Sequence, residues 1–331
     1  MNIPLYIRAH ASTTDNRAAA RWPTLWLDSR ERRGLPEPQC IFYASSAELG
    51  VMSEPDNLRG TAMLRHIYPS ARHVFVSMGC LGLHAAILEI LRAGVEDALL
   101  FLIESPLPYI QARFDASGIG LGGEGMLAAG GAAFLYFARG ADADSLEVAS
   151  TAILAKPGVP LGTAQLLGKL KEYIGQLVAR QGAIDTVSFW NRSRWCDYLS
   201  RGFDSMVRPL FPPESALLDS LETTEDIHYM TLKPLLEIQR YWPGRKAHPL
   251  LLMTLGAGGR IGALEVCAPG TAARVAWREK ADPRCLDAAL YEDVHSTPQY
   301  NLKAHCRDNL YFLNELDSPE SASHHPARER A

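Results

Sequence analysis

Cys80 is the residue in this chain best placed to do chemistry. It sits between the apolar, β-branched run His73-Val74-Phe75-Val76-Ser77 and the helical stretch Leu81 to Ala93. A thiol at a strand-to-helix turn lies at the positive end of a helix. Free backbone N–H groups there favour the thiolate, the form of sulfur that attacks a carbonyl. A cysteine taken alone is more often a small buried hydrophobe; the strand and helix around this one favour the nucleophile. His84 follows four residues later and shares a helix face with it. Such a pair suits a dyad or a metal, but the helix is otherwise apolar, so the expectation is a core histidine with its hydrogen bonds met. Gly256-Ala257-Gly258-Gly259 reads as a tight turn between two strands. His305-Cys306 and the tail pair His324-His325 have no further ligands nearby, so no metal site is expected.

These groups need a scaffold, and the hydrophobic pattern describes one. Strands are expected at Leu5–Arg8, Cys40–Ala44, His73–Ser77, Ala98–Ile103 and Ala132–Phe137, with helices at Leu58–Ile67 and Leu81–Ala93. Residues 1–38 read as otherwise irregular. Strands alternating with helices of about 12 residues imply an α/β fold with sheets covered on both faces. Pro157-Gly158-Val159-Pro160 reads as a joint, after which the grammar partly repeats. Gln165–Arg180 is a helix, Ile184–Trp190 a strand, and Ser193–Phe203 and Tyr229–Tyr241 helices. Leu250–Leu255 and Gly262–Cys267 then pair around the Gly256–Gly259 turn. The expected organisation is a first half at 1–156 carrying Cys80, a second half at 157–269, and a polar extension at 270–331 whose end is expected to be disordered.

Composition narrows the function. At 331 residues the chain can bury a large core, and 47% hydrophobic with 21% charged residues is ordinary for a globular protein. A formal charge of −4 supplies no dense basic field for nucleic acid. The six cysteines (40, 80, 196, 267, 285 and 306) are scattered with no CxxC pair, which fits neither a disulfide framework nor a zinc module. No run approaches the roughly 18 apolar residues of a membrane span, and the opening residues lack a signal-peptide core. The expectation is a cytoplasmic protein without a membrane or nucleic-acid partner.

Four segments, in order, resemble the thiolase superfamily, and β-ketoacyl-acyl-carrier-protein synthase III in particular. VSMGCLGLHAAILEILRAGVEDALLFLIES resembles the nucleophile segment, in which a strand delivers Cys to the head of a buried helix and a later apolar strand ends in an acidic residue, here Glu104. GMLAAGGAAFLYFAR at 125–139 is similar to the strand after the family's Gly-Asp-Gly-Ala turn. Ala183-Ile184-Asp185-Thr186-Val187 resembles the strand before the family's catalytic His. TLGAGGRIGALEV at 254–266 is similar to the Gly-rich loop joining the last two strands. The resemblance spans about residues 39–268. It implies two pseudo-repeated βα halves with central mixed sheets packed in layers.

What the resemblance implies for the site is specific. Cys80 accepts an acyl group, and the backbone N–H groups of Cys80 and Ala257 form the oxyanion hole. The chain departs from the pattern at Trp190, which occupies the place of the family's His. Asp226 or Ile227 stands where an Asn is usual, with His228 beside it. His228 is then the expected base, oriented or replaced by Asp226. Trp26 and Arg30 resemble a Trp-x-x-x-Arg element that grips the adenine of coenzyme A by stacking and cation–π contact. No cofactor is held permanently; a coenzyme A or phosphopantetheine thioester, free or on an acyl carrier protein, is the substrate. The implied activity is acyl transfer or condensation in fatty-acid-type or secondary metabolism, by a homodimer or a heterodimer with a related subunit. The alternative is a non-catalytic partner subunit of a heteromeric ketosynthase.

Overall fold

The computed structural model describes residues 4–15, 21–45, 55–77, 79–104, 127–128, 130–154, 163–187, 201–221, 227–244, 247–256 and 260–271. The first part of the chain forms β1 (Tyr6–Thr13), α1 (Trp22–Arg33), β2 (Cys40–Ser45), α2 (Pro55–Ile67), β3 (Arg72–Ser77), α3 (Gly82–Ala93), β4 (Asp97–Glu104), the two-residue β5 (Leu127–Ala128) and β6 (Gly131–Ala138). The second part forms β7 (Leu146–Leu154), α4 (Thr163–Gln181), β8 (Asp185–Val187), β9 (Leu217–Leu218), β10 (Ile227–His228), α5 (Lys233–Tyr241), β11 (Leu250–Gly256) and β12 (Arg260–Cys267). A 3-10 turn precedes each of two helices, Gly79–Leu81 before α3 and Met230–Leu232 before α5.

Ten strands make one sheet in the order β3-β2-β4-β6-β1-β7-β12-β11-β8-β9. From each edge inward the sequence of pairings is the same. β2 is parallel to β3 and β4, and β6 is antiparallel to β4 and β1. Likewise β8 is parallel to β9 and β11, and β12 is antiparallel to β11 and β7. The two five-strand units meet where β1 pairs antiparallel with β7, Tyr6 opposite Glu147 and Ile7 opposite Leu146.

β7 pairs with β12 along most of its length and so stands in the sheet with the strands that follow it. The segment LEVASTAIL mixes Glu, Ser and Thr with small residues, and its strand character is set by burial on both faces rather than by alternation. Pro157–Pro160 lies outside the described residues.

Strand alternation builds the layers. Phe42, Ala44, Leu100, Leu102, Leu135 and Phe137 of the first unit share a core with Leu250, Leu252, Leu264 and Val266 of the second, and with α3 and α5. The intervening residues Ile41, Tyr43, Leu99, Phe101, Phe134 and Tyr136 face the other way, onto Trp22 and Trp26 of α1. In the second unit Leu251, Met253, Ile261 and Ala263 face α4 through Leu166, Leu170, Ile174 and Leu177. α3 packs on β2, β3 and β4 of one unit and on β7 and β12 of the other. It is therefore an interior helix, buried throughout from Gly82 to Ile87, as a helix clasped between two sheet units must be.

α1 falls within the stretch expected to be irregular. Trp22, Pro23, Trp26 and Ser29 are its buried residues, too thin a stripe to show as periodicity. Its ends are nonetheless marked: Pro23 opens it, three arginines crowd its last turn, and Gly34 closes it at φ 61°. Two tryptophans do the anchoring. Trp22 meets Phe101 edge-on at 4.5 Å and gives its indole N–H to Asn57 at 2.9 Å; Trp26 stacks on Tyr136 at 5.1 Å. Replacing Trp26 by Ala is expected to cost about 3–5 kcal/mol of stability, read from urea unfolding; a loss below about 1 kcal/mol would show that α1 is not anchored this way.

Candidate active site

Cys80 is the middle residue of the turn Gly79–Leu81 at the head of α3, and it is partly exposed while the helix behind it is buried. That turn packs against two elements of the other unit, β11 and the turn Met230–Leu232. The approach is close. A Cβ on Gly82 would lie 2.9 Å from the Thr231 methyl and 3.3 Å from the Ala44 Cβ. Only glycine at the first position of α3 lets the two turns meet at this spacing.

The facing turn is held by a buried carboxylate. Glu104, at the end of β4 and 3% exposed, accepts both the Thr231 backbone N–H (3.1 Å) and the Thr231 hydroxyl through Oε1. The preceding residue, Met230, has φ 51°, in the left-handed region that a non-glycine residue enters at a cost of about 1–3 kcal/mol. Leu232 seats on Gly131, where a Cβ would come within 2.7 Å of its Cδ1. Just upstream, β10 pairs in parallel with β5, Ile227 opposite Leu127 and His228 opposite Ala128. The His228 backbone thus lies two residues before the turn that meets Cys80.

Behind the Cys80 turn sits a polar cluster in an otherwise apolar layer. His84 is fully buried, with Nε2 3.2 Å from the Thr254 hydroxyl of β11. Gly262 on β12 makes room for the imidazole, since any Cβ there would overlap the ring. Lys233, the first residue of α5, is 1% exposed; its Nζ donates to the Met253 carbonyl at 3.3 Å and lies 3.7 Å from Glu237 Oε1. Burial pushes the His84 pKa down to about 3; a backbone hydrogen bond to Ala263 opposes this and the Lys233 charge adds to it. The imidazole is neutral at physiological pH.

The structure brings together part of what the sequence nominated. The Cys80 turn meets the strand that leads to Ala257 and the turn that follows His228. Asp226, Ala257 and Trp190 lie outside the described residues, as does the side chain of His228. His84 lies in the core as expected, with one ring nitrogen, Nε2, on the Thr254 hydroxyl. Trp26 and Arg30 are a correction. Trp26 is 0% exposed, its ring stacked on Tyr136 and its N–H given to Tyr68 at 3.0 Å, on the face of the sheet opposite α3. Arg30 stacks over the Tyr68 ring at 5.4 Å, with its donors on Leu35 and Glu37. A fully buried indole offers no face to a purine. Lys233, Glu237 and Thr254 were not nominated; the one available signal was a Lys and a Glu at i, i+4 inside an apolar run.

Among the described residues no group of three or more His, Cys, Asp and Glu side chains is placed to hold a metal ion, and no helix is long and apolar enough to cross a membrane. No family model matches the sequence, and no curated protein matches it. Solved structures do match. The acyltransferase ChlB3 superposes with a TM-score of 0.54 at 16% identity, over 81% of this chain and 99% of that one. The tetronic acid condensing enzyme AbyA1 gives 0.53 at 13% identity, over 78% and 98%. A type II PKS acyl-carrier protein in complex with its ketosynthase, AntDE:AntF, gives 0.51 at 14% identity, over 77% and 86%. The chain shares its fold, a mixed α/β fold built on one large sheet, with these enzymes.

The buried His84 sets a direction for stability against pH. Unfolded, it binds a proton below its ordinary 6.5; folded, only near 3. Stability is therefore whole above pH 6.5 and falls as pH drops toward 3, by up to about 1.4 kcal/mol per pH unit. Urea midpoints between pH 7.5 and 4.5 should show a shallower fall in His84→Gln than in the parent; equal slopes would mean that the imidazole is not held neutral.

Proposed function

We propose that this chain is an acyltransferase or condensing enzyme of the ketoacyl synthase III kind, in which Cys80 accepts an acyl group from a coenzyme A or acyl-carrier-protein thioester. The observation that carries the reading is a partly exposed cysteine at the head of a helix buried between two sheet units, facing a turn of the opposite unit. An acyltransferase and a condensing enzyme share this fold, as does a chain of a ketosynthase structure solved in complex with an acyl-carrier protein.

The chemistry follows from the placement. The Cys80 sulfur attacks the thioester carbonyl carbon, giving a tetrahedral oxyanion that the N–H groups of Cys80 and Ala257 receive. Collapse breaks the thioester C–S bond, and the pantetheine thiol leaves with the proton that the Cys80 thiol gave up. An acceptor nucleophile then attacks the acyl-cysteine and the Cys80 thiolate is released. His228 takes the acceptor's proton, oriented by Asp226. By the sequence resemblance Trp190 takes the position of the family's His, a second side-chain donor to a thioester enolate, so transfer of the acyl group to an alcohol or amine asks less of this site than carbon–carbon bond formation does. The protein acts in the cytoplasm as a dimer, with itself or a related subunit.

Incubation with a panel of acyl thioesters, including carrier-protein-bound ones, should leave one acyl group per chain on Cys80 by mass spectrometry, and none on Cys80→Ala. His228→Ala should acylate but turn over about 100-fold or more slowly. Absence of any adduct across the panel would sink the enzyme reading and turn attention to a partner-subunit role.

A further inference from the structure

We infer that His84 and Lys233 are positioning residues for acyl transfer, clamping the end of β11 against the Cys80 turn from both interior helices. This rests on the function proposed above, in which the amide following β11 receives the oxyanion. Thr254 and Met253 are consecutive residues near the end of that strand, with Gly256 its last. His84 of α3 holds the Thr254 hydroxyl, 3.2 Å from Nε2. Lys233 of α5 holds the Met253 carbonyl, 3.3 Å from Nζ. One strand end is thus tied to the helix that presents Cys80 and to the helix that follows the facing turn.

Nothing in the packing of this layer requires polar groups here. Around them the layer is built from residues such as Leu83, Ile87, Leu235 and Leu252, and apolar side chains at 84 and 233 would fill it without the cost of burying an ammonium and an imidazole. The chain instead supports both. Gly262 leaves the volume that the imidazole occupies. Glu237, fully buried, lies 3.7 Å from Lys233 Nζ and is itself fixed by the Ser220 hydroxyl at 2.9 Å and the Leu221 N–H at 2.8 Å. A lysine buried with its own carboxylate is rare, and its Nζ reaches the Met253 carbonyl of β11. Placing an amide donor to within a fraction of an ångström is a task that such a clamp can perform and that apolar packing performs less sharply.

Two reactions of the same sulfur separate positioning from fold maintenance. Acylation by a thioester passes through an oxyanion: the Cys80 Sγ–C bond forms, the thioester C–S bond breaks and the pantetheine thiol leaves protonated. Alkylation by iodoacetamide displaces iodide at a saturated carbon and builds no oxyanion. Thr254→Val keeps the shape of the side chain and removes the hydroxyl; His84→Leu and Lys233→Met remove the other polar groups. Each should slow single-turnover acylation about 10- to 100-fold at similar half-saturation by thioester, while the alkylation rate stays within about twofold of the parent. Thr254→Ser and His84→Gln, which keep a polar group in reach, should restore most of the acylation rate. Parent-like acylation in Thr254→Val and His84→Leu, or acylation and alkylation falling together in every variant, overturns the inference while leaving Cys80 acylation standing. Failure of the unmutated protein to acylate at all, with alkylation intact, removes both.

Discussion

The site depends on a carboxylate that crosses between the two units. Glu104 ends a strand of the first unit, and its Oε1 receives two donors from Thr231 in the second. Such a group is expensive to bury unless its oxygens are met, so the pair specifies where the second unit's turn must lie. That placement lets Met230 keep a left-handed backbone and brings the Thr231 methyl onto Gly82, two residues after Cys80. Without the acceptor at 104, the Thr231 N–H would be an unpaired donor in a dry layer and the turn would relax away from α3. The surroundings of Cys80 are thus set from both units.

The interior layer carries a second commitment of the same kind. α3 and α5 lie between the sheet units, where a polar group is costly to bury without a partner. His84, Thr254, Lys233, Glu237 and Ser220 form a chain of such partners running from one helix across β11 to the other. Buried ion pairs add little net stability compared with well-packed apolar residues, but they tolerate few geometries. A shift of either helix here strands an ammonium or a carboxylate. The same layer holds the imidazole neutral, so the chain accepts acid sensitivity along with the fixed register.

Much of the frame was legible because it is written in runs of apolar residues. The strands at Cys40, His73, Ala98 and Ala132 and the hairpin of Leu250–Gly256 with Arg260–Cys267 are buried on both faces, and the sequence shows them as continuous hydrophobic stretches. Cys80 stood out because it punctuates such a stretch. α1 and β7 did not stand out. α1 anchors through two large rings rather than a stripe, and β7 is buried by its neighbours despite a polar composition. The Trp26–Arg30 pair misled for a related reason: spacing alone does not say on which side of a sheet a ring will lie. Glu104 and Lys233 take their meaning from partners more than a hundred and about twenty residues away in the chain, 127 and 20 positions respectively, and no local pattern encodes such pairs.

The repeat explains why one of two equivalent turns carries the sulfur. In each unit a 3-10 turn opens the interior helix: Gly79-Cys80-Leu81 before Gly82, and Met230-Thr231-Leu232 before Lys233. Cys80 and Thr231 hold the same place in the two repeats. Thr231 is fully buried, its hydroxyl committed to Glu104, whereas Cys80 keeps partial exposure. The residue after each turn sharpens the difference. Gly82 removes a side chain and lets the facing turn come close; Lys233 places a long side chain that reaches back to β11. One turn is closed and used as a wall, and the other is left open beside it. A duplicated fold becomes one-sided when the carboxylate and the lysine act at one copy of a structural position and the glycine at the other.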